Sequence, residues 1–128
     1  MMDVEKYLSR VYKNPPCFEL VADLYAEEFG KGCIEYSVVN SSVRSAATAF
    51  RIALHTNEHG FRQVSEPVNG CLVLMSNRKH MPVHHCGVYY NGSILHALEG
   101  GNAFESVFNL KDSYPIMEWW MMEGIECL

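Results

Sequence analysis

The stretch His84-His85-Cys86-Gly87-Val88-Tyr89-Tyr90-Asn91-Gly92-Ser93-Ile94-Leu95-His96-Ala97 decides how this chain is read. Two runs of strand character flank Asn91-Gly92, a pair that accepts positive φ at both central turn positions and so favours a two-residue type I′ hairpin. Pairing Tyr90 with Ser93 across the turn sets Tyr89 opposite Ile94, Val88 opposite Leu95 and Gly87 opposite His96. His85 then shares a face with His96, diagonal to it and within reach of a long side chain. His84 points to the other face, with Cys86, Val88 and Tyr90. Gly87, lacking a side chain, leaves room between the two imidazoles.

Upstream of the hairpin, Gly70-Cys71-Leu72-Val73-Leu74-Met75 is a continuous apolar run of strand length, and downstream Ala103 to Phe108 reads as a further strand. The segment from Lys111 to Trp119-Trp120 fits neither period. The front half reads as helical. Asp3 caps a short helix with Val4, Tyr7, Leu8 and Val11 at helical spacing. Pro15-Pro16 stops one segment and opens another, whose apolar residues Leu20, Val21, Leu24 and Tyr25 lead to a stop at Gly30. Ser41 or Ser42 can cap a third helix through Ala46, Ala47, Phe50 and Leu54, closed by Asn57 to Gly60. Helices first and an antiparallel sheet second, without repeats or linkers, predict a single α+β domain over 1-128.

With 128 residues, nearly half of them hydrophobic, the chain is large enough to bury one core. A formal charge of -5, with acids and bases interspersed, provides no basic stripe to track a phosphate backbone, so nucleic acid is not expected as a partner. No apolar run reaches the roughly 18 residues of a membrane span. The start Met-Met-Asp-Val-Glu-Lys lacks the basic and apolar regions of an export signal, so cytoplasmic synthesis without a signal peptide and no membrane contact are expected. Cys17, Cys33, Cys71, Cys86 and Cys127 are odd in number and show no paired spacing, which argues against a disulfide framework.

Cys17 stands apart because it falls in the first turn of the second helix. Unpaired backbone N–H groups and the positive end of the helix dipole favour thiolate there. A thiolate, a histidine base and a third group that orients the base make a nucleophilic pair, and Cys17, His85 and His96 supply those types. The competing interpretation makes each a half-buried packing residue.

Other clusters carry less. His55 and His59 share a helical face, and His80, His84, His85 and Cys86 crowd together, but no carboxylate follows in a metalloprotease pattern, so neither metal nor cofactor is expected. Tyr114, Met117, Trp119, Trp120, Met121 and Met122 read as core packing of the last segment, with a docking surface as the alternative. Arg78, Lys79 and His80 read as a solvated loop.

The string from His85 to Ala97 resembles the second motif of the NlpC/p-sixty cell-wall cysteine peptidases, in which a base histidine, a small residue, Gly and an aliphatic-Tyr pair lead through a turn to a second histidine. Cys17-Phe18-Glu19-Leu20-Val21 is similar to that family's first motif at the head of a helix. Asn69 to Met75 resembles the strand before the base, and Tyr7-Leu8-Ser9-Arg10-Val11-Tyr12 resembles the helix and tyrosine before the nucleophile, especially in the phage tail branch. The resemblance runs from about Tyr7 to Ala97. It implies a papain-like fold with N-terminal helices packed on the sheet, and hydrolysis of peptide bonds in peptidoglycan stem peptides. It also implies Cys17 as nucleophile, His85 as base, His96 as orienting residue and Tyr12 as the tyrosine near the oxyanion. Phage tail proteins are the partners and the virion tail the location that this branch suggests. The family pattern has Asp before the cysteine and Gly two residues after it, where this chain has Pro16 and Glu19. A structural or tail-assembly protein of the same fold, and a cysteine-dependent amidase or acyltransferase, stay open as alternatives.

Overall fold

The computed structural model describes residues 2–13, 16–30 and 61–122. The expected third helix, with His55 and His59, lies outside the described residues. Helix α1 spans Val4–Leu8, its N-terminus capped by the Asp3 carboxylate, which accepts from the Lys6 amide at 3.4 Å. It stops before Val11, which is exposed, because other partners take its last carbonyls. The Ser9 hydroxyl donates to the carbonyl of Lys6, and the Asn102 amide donates to those of Tyr7 and Arg10 at 2.9 and 2.6 Å.

Helix α2 spans Pro16–Phe29 and opens on proline, whose missing N–H is harmless in a first turn. Cys17, Phe18, Leu20, Val21, Leu24 and Tyr25 form its buried face. It ends at Gly30, whose φ of +64° suits a residue without Cβ.

The strands among the described residues are β1 (Phe61–Val64), β2 (Leu72–Ser76), β3 (His85–Tyr90), β4 (Ser93–Leu98), β5 (Gly101–Ser106) and β6 (Ile116–Met122). They form a six-stranded sheet in the order β1-β6-β2-β3-β4-β5, with every neighbouring pair antiparallel. The β3–β4 register is the one expected from the turn: Tyr90 opposite Ser93, Tyr89 opposite Ile94, Val88 opposite Leu95. Asn91 and Gly92 have φ of 49° and 87°, and the Asn69 side chain holds the turn by accepting from the Asn91 amide at 2.8 Å and donating to its side chain at 2.9 Å.

Two expectations need correction. The strand expected over Ala103 to Phe108 starts at Gly101 and ends at Ser106, where the Ser106 hydroxyl accepts from the Asn109 amide and caps a short helix, α3 (Val107–Leu110). Val107 and Phe108 therefore belong to a helix. The ambiguous last segment is a strand, β6, inserted between β1 and β2 with Trp119 opposite Val73 and Trp120 opposite Leu72. Consecutive tryptophans point to opposite faces there, so both find packing partners.

Helix α2 covers one face of the sheet. Its apolar residues pack with Leu72, Leu74, Cys86, Val88, Leu95 and Ala97, a continuous buried core. The opposite face carries a smaller cluster of Val73, Met75, Ile94 and Leu110, closed partly by Tyr114, Met117 and Trp119. The architecture is thus α+β, helices against an antiparallel sheet. Among the described residues, no helix is long and apolar enough to cross a membrane.

Candidate active site

Cys17 is the second residue of α2, beside first-turn N–H groups that have no intrahelical acceptor. It is only 7 % exposed, because the helix lays it on the start of β3. There the Cys86 thiol offers its sulfur a hydrogen bond, and His85 adds another. These outweigh burial, which alone would raise the pKa, and hold the Cys17 thiol well below its usual range. Cys86 goes the other way. Burial, then its hydrogen bond to Cys17 and the charge there, push its thiol well above the ordinary value, so it keeps its proton.

His85 opens β3, ahead of the stretch where β3 pairs with β4. Its Nε2 lies 2.9 Å from Nδ1 of His96, and the two rings meet edge to face. That contact occupies Nε2 of His85 and leaves Nδ1 unengaged by His96. Gly87 makes the approach possible. A Cβ there would stand 2.7 Å from the Leu95 carbonyl oxygen and 3.1 Å from the His96 Cβ. His96 is fully buried. Burial lowers its pKa, an effect opposed by the hydrogen bond to Glu105.

Two residues of the site were not anticipated. Glu105 on β5 places Oε2 2.7 Å from His96 Nε2. The signal was present: with Leu98 opposite Gly101 across the Glu99-Gly100 turn, His96 pairs with Ala103 and Glu105 falls on the same face, diagonal to it. Tyr114 stacks on His85, ring centroids 5.0 Å apart and planes within 17°. Its hydroxyl is held in the protonated form by burial and by the negative charges of Cys17 and Glu105. No local pattern marks Tyr114; the turn after α3 delivers it, its amide donating to the Leu110 carbonyl.

Tyr12 does not join this centre. Its hydroxyl donates to Asp23 Oδ2 at 2.6 Å, on the outer flank of α2, where Arg10 also bonds Asp23 and Glu27. An open groove of about 660 Å³ runs along that flank, lined by Arg10, Val11, Tyr12, Glu19, Asp23 and Glu27, and neither Cys17 nor His85 lines it. The phenol that shares the electrostatic field of Cys17 is that of Tyr114.

Glu19 also turns outward. Its carboxylate accepts from the Lys13 amide at 2.9 Å, so the acid near the thiol in sequence is not aimed at it in space. His84 precedes β3 instead of lying in it. Its Nε2 accepts from the Asn77 amide at 3.2 Å and its ring tilts against Tyr114, the ring that also stacks on His85, so the expectation that it points to the opposite face is corrected: outside the strand pleat, it stays on the side of His85. Among the described residues, no three of His, Cys, Asp and Glu are grouped to hold a metal ion. Cys17, His85, His96 and Glu105 together define a class of site, a thiol–imidazole centre in which the first imidazole is buttressed by a second imidazole and a carboxylate. No protein-family model matches the chain, and no curated protein matches it significantly.

Proposed function

We propose that this chain is a cysteine peptidase of papain-like, NlpC type that hydrolyses peptide bonds in peptidoglycan stem peptides. The observation that carries the reading is the meeting of the Cys17 thiol, lowered by Cys86 and His85, with the His85–His96 pair at 2.9 Å. In the proposed reaction the thiol proton passes to His85 Nδ1 and the sulfur attacks the scissile carbonyl carbon. The carbon–nitrogen bond breaks as His85 returns the proton to the leaving amine. Water, deprotonated by His85, then attacks the thioester carbon; the carbon–sulfur bond breaks, the acid is released and the proton held by His85 returns to sulfur. The N-terminal end of α2, the positive end of its dipole, is suited to the developing oxyanion. The choice of stem peptide and a place among phage tail proteins rest on the motif resemblance of Cys17 to Val21 and His85 to Ala97.

A second reading draws on the near-complete burial of Cys17, in which the chain keeps the fold as a tail-assembly component without turnover. Digestion of purified peptidoglycan from several wall chemotypes, read by product mass, separates the two. Muropeptides cut at one stem bond by the parent and not by Cys17→Ala are expected. No release from any wall, or equal release by the variant, sinks the peptidase reading. Transfer of the acyl group to an added amine in place of water marks an acyltransferase.

A further inference from the structure

We propose that Glu105 is a positioning residue of this centre: acting through His96, it decides which nitrogen of His85 is free to take the thiol proton. The inference rests on the assignment of Cys17 and His85 as nucleophile and base, and extends it to an edge strand.

His96 is 1 % exposed, so its ring nitrogens depend on protein partners, and it has one for each: His85 Nε2 at 2.9 Å and Glu105 Oε2 at 2.7 Å. A carboxylate can only accept, so the proton of a neutral His96 belongs on Nε2. Its Nδ1 is then an acceptor, and His85 must donate to it from its own Nε2. The lone pair of His85 is left on Nδ1, the nitrogen that His96 does not engage. Each hydrogen bond thus dictates the next, from β5 through β4 to β3. Without Glu105 the opposite order becomes available: a proton on His96 Nδ1 turns His85 Nε2 into an acceptor and puts the His85 proton on Nδ1, where it blocks the base. The titratable groups facing His96 are His85 from β3, Glu105 from β5 and Cys17 from α2. Their balance with burial keeps His96 neutral, as the row of bonds requires. Glu105 is itself about half exposed, with 47 % of its side chain accessible, so water partly substitutes for it and its loss is graded.

The test is a two-bond proton–nitrogen correlation spectrum of the labelled full chain, taken for the parent, Glu105→Gln and Glu105→Leu, alongside the pH profile of stem-peptide cleavage. The parent is expected to carry the proton on Nε2 in both histidines at neutral pH. In Glu105→Leu the His85 and His96 signals should move to a mixture of tautomers, with kcat down about 10- to 100-fold, KM within about two-fold and a displaced acid limb. Glu105→Gln, whose carbonyl still accepts, should fall between. Thermal melts confirm folding, and exposure at an edge strand predicts little change. Protons on Nδ1 of His96 in the parent, or a Leu variant with parental tautomers and pH profile, overturn the proposal. If the parent cleaves nothing and Cys17 alkylates as an ordinary thiol, the peptidase assignment fails by itself, and the tautomers in the same samples still decide for or against Glu105.

Discussion

Cys17 and Cys71 are both buried against the same sheet, and their surroundings drive the two thiols in opposite directions. Cys71 sits just before β2 among apolar neighbours, and burial pushes its thiol up to about 11. Cys17 is almost as deeply enclosed, yet Cys86 and His85 pull it well below the ordinary range. Depth is therefore not what separates an inert cysteine from a reactive one. Hydrogen-bond donors aimed at the sulfur are, and both, Cys86 and His85, come from the start of β3.

The largest effect that tests this contrast is on turnover. Cys17→Ser and His85→Ala should each reduce stem-peptide hydrolysis on the order of 10⁴-fold or more, and the double variant should be no worse than either, because nucleophile and base act as a unit. Cys71→Ala should leave kcat within a few-fold. An equal loss at Cys71 would break the comparison.

Alkylation of the native protein measures the same difference without a substrate. At pH 6 an ordinary thiol of pKa ~8.5 is about 0.3 % thiolate, so Cys17 should react with iodoacetamide on the order of 100-fold faster than such a thiol, and Cys71 more slowly still. The sign follows from the direction of each shift: a lowered thiol keeps its thiolate as pH falls from 9 and loses it only through the low folded value, whereas a raised thiol is already protonated. Peptide mapping of the label reads out both sites. Equal labelling at pH 6 would remove the distinction.

His96→Ala should reduce kcat by about 10- to 100-fold, less than loss of His85, because the residue orients the base and does not exchange protons with substrate. A loss as deep as that of His85→Ala would make His96 a direct participant. Gly87→Ala sharpens the structural side. An added Cβ meets backbone at Leu95, which cannot yield cheaply, so thermal unfolding should report destabilisation of about 1 to 3 kcal/mol. A fully stable variant would mean that β3 and β4 are not as close as they stand here. The smallest change is expected for His84→Ala, whose ring serves the Asn77 amide and rests on Tyr114, with kcat within a few-fold of the parent.

Much of the site was legible in the sequence because hairpin chemistry is local. Asn91-Gly92 specifies the turn, the turn specifies the register, and the side-chain period of two places His85 and His96 on one face. The same counting around Glu99-Gly100 reaches Glu105. Helix α2 was legible for a similar reason, since Pro16 and Gly30 mark its ends and Cys17 follows the proline. Strand β6 was not, because Ile116–Met122 is apolar on both sides, and only its insertion between β1 and β2 gives each tryptophan a partner. Tyr12 and Tyr114 show the same limit from the side of the site. Both lie in irregular segments, where Asp23 draws one to the flank of α2 and the turn after α3 carries the other over His85.

The sequence by itself thus determined what the turn residues, helix ends and strand alternation encode within a few neighbours: helix α2, the hairpin with its register and the pairing of two imidazoles. Tertiary structure alone decided that Cys17 lies beside His85 and Cys86, and so which of the described thiols is lowered. That approach depends on how α2 docks on β3 across a long sequence separation, and docking is set by the summed burial of Leu20, Val21, Leu24 and Tyr25 against the sheet, which no local pattern specifies.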